Sequence, residues 1–293
     1  MRTLDVPSGR MATVATPPSD DARLARLSLN QKTVPAWSVA ELVGACVRAG
    51  VPAVGLWREP VAETGVERSA ELVRAAGLRV SSLCRGGFFT SGPASRDDNR
   101  RAVDEAAVLG AGCLVLVVGG LPEGSRDLQG ARRQVAEAVA DLAPYAASAG
   151  VRLALEPLHP MYCADRAVLS TLAQALDLAE AYPPEQVGVV VDAFHVWWDP
   201  LLWAQVERAG AGGRIASFQV CDWVVPLAAD VLLARGMMGD GCIDLARLRS
   251  AVDAAGYDGD IEVEIFNADV WAADGTDVLA TVQRRFVEHV VGR

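Results

Sequence analysis

A chain of 293 residues, 51% hydrophobic and 22% charged, is long enough to bury a large core and suits one domain of the size usual for a single α/β barrel. A formal net charge of -10 argues against a protein that grips nucleic acid or an anionic membrane through a basic surface, and favours a small neutral or metal-bridged substrate. Cys46, Cys84, Cys113, Cys163, Cys221 and Cys242 show no CxxC or finger spacing, and no stretch has the apolar length of a membrane span or a signal-peptide centre. Buried thiols and a cytoplasmic location are therefore expected.

Residues 1–26 mix Pro, Ser, Thr, Asp and Arg without periodicity and read as a mobile tail, in which Met11 could serve as an alternative start. Beyond them, short β-rich runs alternate with longer stretches of helical spacing. Strands are predicted at Leu27–Asn30, Ala53–Trp57, Arg79–Leu83, Cys113–Val118, Arg152–Glu156, Gly188–Asp192, Ile215–Val220 and Ile261–Phe266. Helices are predicted at 38–49, 66–76, 98–109, 127–149, 167–181, 199–209, 244–255 and 275–290. Glycines such as Gly50 and Gly110 stand where a left-handed helix stop precedes the next strand. Eight strand-helix units predict a (β/α)8 TIM barrel over residues 27–293 as a single domain. The alternative, a doubly wound sheet, lacks a GxGxxG after the first strand.

Four of the apolar runs end in metal-capable side chains: Glu156, Asp192, Gln219 and Glu264. Side chains at the carboxyl ends of barrel strands converge, and this set would form a divalent-cation site of hard oxygen ligands with carboxylates left for proton transfer. Blander roles exist for each. Glu156 could pair with a barrel arginine, and Asp192 could cap the segment that follows. Period-two alternation puts Glu262 on the same face as Glu264, and two inward acids need a cation or a hydrogen-bond network. Glu264 reads as the ligand and Glu262 as its support near the barrel bottom. His195 lies where it would orient a substrate hydroxyl or carbonyl, His159 lies close to Glu156, and His289 falls in the terminal helix. Trp57, Trp197, Trp198 and Trp223 follow strand ends, where indole rings could wall a sugar pocket. Lys32, Arg58 and Arg85 follow the first three strands, where each could bind an anionic group.

The order of these residues carries a resemblance. Glu156, then Asp192-x-x-His195, then Gln219 to Asp222, then Arg235 with the GDG turn at Asp240, then Glu262-x-Glu264, resembles the sugar phosphate isomerase/epimerase superfamily, the xylose isomerase-like TIM barrels. That group includes inosose dehydratases, ketose 3-epimerases and, more remotely, endonuclease IV. The resemblance implies a divalent metal held by Glu156, Asp192, Gln219 and Glu264, with substrate contacts from His195 and Arg235, and it raises Asp240 as a third. Gln219 departs from the pattern, because most relatives have a metal-binding histidine there. An all-oxygen site favours Mn2+ or Mg2+ over Zn2+.

The expected chemistry is abstraction of a proton next to a carbonyl, with Glu156 and Glu264 as the carboxylates that remove and return it through an enediolate. This describes an isomerase or epimerase of a sugar, cyclitol or related polyhydroxy ketone. Loss of a β-hydroxyl from the same intermediate would make it a dehydratase or lyase. A barrel that has lost its chemistry and serves as a binding subunit is the remaining alternative, homo-oligomers are compatible with each reading, and a nuclease fits poorly.

Overall fold

The computed structural model describes residues 15–292. Eight parallel strands close into a barrel: β1 (Leu27–Asn30), β2 (Ala53–Trp57), β3 (Arg79–Gly87), β4 (Leu114–Val117), β5 (Leu153–Leu155), β6 (Val187–Asp192), β7 (Ile215–Val220) and β10 (Ile261–Val263). Between the last two, β8 (Asp222–Trp223) and β9 (Arg235–Gly236) pair as a short antiparallel hairpin outside the barrel. The first β-strand and last β-strand close the ring, with Leu29 opposite Val263. The fold is the expected (β/α)8 barrel, with helices between the strands.

Local chemistry explains the alternation. The helix Val39–Ala49 begins at a capping box in which the Ser38 and Glu41 side chains each bond the other's backbone N–H. It ends at Gly50, whose φ of 69° is the left-handed stop that returns the chain to β2. The outward strand residues, among them Leu29, Val54, Leu114, Leu153 and Val191, are fully covered by the helix layer. A second, smaller apolar cluster fills part of the lumen with Cys113, Val115, Ala154 and Val190, reaching Trp57 and Cys84. Each fully buried Leu or Val contributes roughly 1.5–3 kcal/mol, so the layered core outweighs the polar cost inside the lumen.

The structure adds elements that lack a strong sequence period. Arg58–Thr64, Ala193–Val196 and Ala268–Ala272 are short helices, and the chain after β7 turns back as the hairpin. The last helix finishes as a π-helical turn at Phe286–Val291. The segment just before β1, read from sequence as part of a tail, is partly built into the fold. Ala22–Leu24 form a 3-10 turn capped by Asp21, and Leu24 is 1% exposed. The remainder of that expected tail, residues 1–14 with Met11, lies outside the described residues. All six cysteines are free. Cys46, Cys84, Cys113 and Cys221 are buried, Cys163 is half-buried, and Cys242, in the loop after Gly241, is exposed rather than buried. No helix among the described residues is long and apolar enough to cross a membrane.

Candidate active site

At the carboxyl end of the barrel lies a cavity of about 230 Å³, below the range usual for pockets that hold drug-sized ligands. Glu156, Glu264, His195, Arg235 and Trp57 line it. Asp192 and Gln219, each 1% exposed, belong to the wall directly behind. Strand register explains that wall, because Asp192 of β6 pairs with Gln219 of β7, which in turn pairs with Glu262 of β10. Alternation then puts Glu264, just past β10, on the same inward face as Glu262.

The four acids have different partners. Glu156 takes no hydrogen bond from any side chain among the described residues, so its carboxylate faces the cavity free. Burial raises its carboxyl well above the ordinary range, and the charges of Asp192 and Glu264 raise it further. Asp192 Oδ1 accepts the Phe194 backbone N–H (2.8 Å) and Oδ2 accepts Arg235 Nη1 (3.2 Å). It is thus both a cap for Ala193–Val196 and a member of the site. Glu264 accepts Arg235 Nη1 at 2.7 Å and Asn30 Nδ2 at 3.0 Å. Burial pushes its carboxyl up to about 7 despite the pull of Arg235.

Glu262 sits deeper and is held by neutral donors alone among the described residues. Asn30 Nδ2 (2.6 Å), the Ser81 and Ser82 hydroxyls (2.6 and 2.8 Å) and Gln219 Nε2 (3.3 Å) all donate to it. Burial raises its carboxyl while those hydrogen bonds restrain the rise. Gly55 leaves the room it needs, since a Cβ there would overlap the Glu262 carboxylate. Gln219 spends its nitrogen on Glu262, and its Oε1 is buried without a partner.

Arg235 is carried over the barrel mouth by β9 and sits between Phe194 and Phe266, its guanidinium carbon 5.1 and 4.9 Å from their ring centroids. Burial opposes its charge, but Asp192 and Glu264 outweigh that and hold it protonated. His195 Nδ1 lies 3.2 Å from the His159 backbone nitrogen, within reach of its N–H. The other ring nitrogen, Nε2, is 3.1 Å from Arg235 Nη2 and 3.7 Å from Asp192 Oδ2, and a neutral imidazole accepts at one nitrogen only. Burial and the neighbouring Arg235 push His195 well below its ordinary range, so the ring is neutral.

Glu156, Asp192 and His195 offer atoms within 4.8 Å of one another, close enough to share a cation. His195 Nε2 is also the atom beside Arg235. The oxygen donors fit a hard divalent cation on two grounds: one buried amide oxygen lacks a partner, and Asp192 and Glu264 share a single guanidinium while Glu156 has none.

Three of the residues expected to touch substrate stand elsewhere. Asp240 is half-exposed and pairs with Arg285 at 2.7 Å, drawn outward by that arginine. The neighbouring Asp222 organises the loop instead, accepting the backbone N–H groups of Trp223, Gly239 and Ile243. Trp223 packs behind the site against Phe194, with ring centroids 4.8 Å apart, and against His159 at 4.9 Å. His159 therefore supports His195 from behind and does not line the cavity. Asn30 escaped sequence reading although it, too, ends a barrel strand. It donates to both Glu262 and Glu264, and its oxygen accepts Trp57 Nε1 at 3.0 Å.

A closed (β/α)8 barrel with converging acids at its carboxyl end places the chain among the barrels that build a polar centre from strand ends. Residues 43–282 match the family model of the xylose isomerase-like TIM barrel, and the chain belongs to that family. An inosose isomerase of Halalkalibacterium halodurans is 26% identical over 160 residues, 54% of this chain and 55% of that protein. The chain thus spans about half the length of the curated relatives it matches. Protein SMc04130 from Sinorhizobium meliloti 1021 is 49% identical, with a TM-score of 0.89 over 92% of this chain and all of that one. The IOLI protein, whose structure binds a zinc atom, shares the fold at 20% identity and a TM-score of 0.76, over 90% of this chain and 98% of that chain.

Proposed function

We propose that the chain is a divalent-metal-dependent isomerase or epimerase of a sugar, cyclitol or related polyhydroxy ketone. The observation that carries this reading is Glu156, a buried carboxylate open to the cavity, without a hydrogen-bond donor among the described residues and with its carboxyl raised. A raised carboxylate is a stronger base, suited to taking a proton from a carbon next to a carbonyl. The inosose isomerases among its relatives support the reaction class.

Glu156, Asp192, Gln219 and Glu264 would hold the cation, and their oxygens suit Mn2+ or Mg2+ better than Zn2+. When bound, the cation supplies polarisation of the substrate carbonyl and its neighbouring hydroxyl. The protein's own donors do the rest. His195 and Arg235 line the cavity side by side, with Nε2 and Nη2 3.1 Å apart, so one substrate oxygen can reach both. A substrate oxygen beside them accepts from the Arg235 guanidinium and gains charge stabilisation as the enediolate forms. Glu156 removes the proton, and Glu264, held by Asn30 and Arg235, returns it or takes it from the opposite face.

One observation favours a second reading. Arg235 already neutralises Asp192 and Glu264, as a resident cation would in a barrel that has given up its metal and serves in binding. Incubation of ketoses and inososes with the chain and Mn2+ in D2O separates the two. Deuterium next to the carbonyl, lost in Glu156→Gln, supports an isomerase or epimerase. Expulsion of a β-hydroxyl would identify a lyase. Absence of exchange, together with no metal after purification without chelator, would leave the binding reading.

A further inference from the structure

The cavity described above has a second chemical face. Its floor is acidic, but its mouth is lined by Lys32, Arg85 and Arg166. None of the three is paired with a floor acid, and Lys32 and Arg85 form no ion pair with any carboxylate among the described residues. Lys32 Nζ lies over the Trp57 ring, 4.7 Å from its centroid, and the Arg85 guanidinium lies over Phe88 at 4.1 Å. Among the described residues, Arg166 forms an ion pair only with its exposed neighbour Asp165, at 3.7 Å. Glu59, exposed, lines the same mouth and pairs with none of them.

Arg58, next along the wall, shows what a structural arginine looks like in this chain. Its guanidinium is clamped by Glu105 at 2.5 Å and by Asp98 at 2.9 Å. Half-buried cations left beside each other without such carboxylates cost free energy, because burial and like charge both oppose ionisation. Arg85 is held below the ordinary arginine range by burial, against the opposing pull of Glu59 and with smaller contributions from Arg166 and Arg58. A chain with a net charge of -10 has acids to spare, yet none of the carboxylates lining the cavity forms an ion pair with Lys32, Arg85 or Arg166 among the described residues.

We infer that the cavity mouth is an anion subsite in which Lys32, Arg85 and Arg166 bind a terminal oxyanion, a phosphate monoester or carboxylate, carried by the substrate. The arginine forks match either group, and the lysine adds a point charge. Trp57 and Phe88 hold two of the cations in place before the ligand arrives, which lowers the ordering cost of binding. The anion would sit at the end of the substrate away from Glu156, so that the charged terminus selects the molecule and the acid floor acts on it. This inference rests on the reading of the cavity as a substrate site.

The test has a binding arm and a turnover arm. Inorganic phosphate and, separately, acetate are titrated calorimetrically into the full chain without added metal, at low salt. One equivalent should bind, and R85Q/R166Q should weaken it roughly tenfold or more. K32Q, a milder change, should weaken it in the same direction, and circular dichroism checks that each variant is folded. R96Q, altering a surface arginine paired with Asp141, is the control. Binding of phosphate and not acetate names the phosphate monoester, and the reverse names the carboxylate. No binding of either, or binding that survives both sets of variants, overturns the subsite. In the turnover arm, deuterium exchange is compared for D-fructose and fructose 6-phosphate. Anion binding without exchange in either sugar would uphold the subsite and count against the isomerase reading. Exchange of the neutral sugar with no anion binding would do the opposite.

Discussion

Gln219 gives its amide N–H to Glu262 across 3.3 Å, and that bond decides that the oxygen is the end left over. An ionised carboxylate accepts and cannot donate, so it turns the amide nitrogen toward itself. Glu262 is thereby a positioning residue for the proposed metal, acting through its neighbour. Glu262→Gln offers Gln219 both a donor and an acceptor and removes that bias. Mn2+ affinity measured by calorimetry should fall roughly ten- to a hundredfold, with the fold retained. Unchanged affinity would show that the amide orientation does not matter.

Gln219→His restores an imidazole at the strand-seven position. Nitrogen donors suit zinc, so the Zn2+ to Mn2+ affinity ratio should rise by an order of magnitude or so in a competition titration. A ratio that stays put would place position 219 outside the metal's reach.

The metal-free protein should lose stability as the pH rises. Glu264 has a folded value of about 7 against an ordinary 4.5, so the folded state binds its proton more tightly than the unfolded state. That contribution is complete below about 4.5 and disappears as the pH climbs through about 7. Thermal melts in chelator across this window should show Tm declining, and Mn2+ should reduce the decline by supplying the missing positive charge. A flat chelator profile would argue against the raised carboxyl.

Glu156→Gln separates chemistry from architecture. Because Glu156 accepts no hydrogen bond from a described side chain, Tm should hardly change, while the deuterium-exchange rate falls by about 10²–10⁴. A large fall in Tm would mean that the carboxylate has structural partners after all.

Gly55→Ala puts a methyl group into the space of the Glu262 carboxylate. Displacing an acid from its four donors should cost about 1–3 kcal/mol in urea denaturation. Indifference to the change would show that the buried network yields easily.

Some of this was legible in the sequence. Strands β1, β2 and β7 fall on the residues expected, because alternating apolar runs ended by turns leave little freedom in strand bounds. The placement of Glu156, Asp192, Gln219 and Glu264 at strand ends was legible for the same reason. What spacing cannot supply is partnership across the fold. Ser81 and Ser82 meet Glu262 from about 180 residues away, and Asn30 bridges two acids more than 230 residues downstream. Nor did any period announce that Asp240 would turn to Arg285, or that a hairpin would bring Arg235 back over the mouth.

That hairpin has a consequence for how such a barrel diversifies. The guanidinium that balances Asp192 and Glu264 is supplied by β9, tied down by Asn267 through the Arg235 carbonyl, and not by a barrel strand. Loop sequences drift more freely than strands. The electrical state of the barrel's centre can therefore be rewritten by exchanging one short connecting segment, leaving the scaffold that aligns the acids untouched.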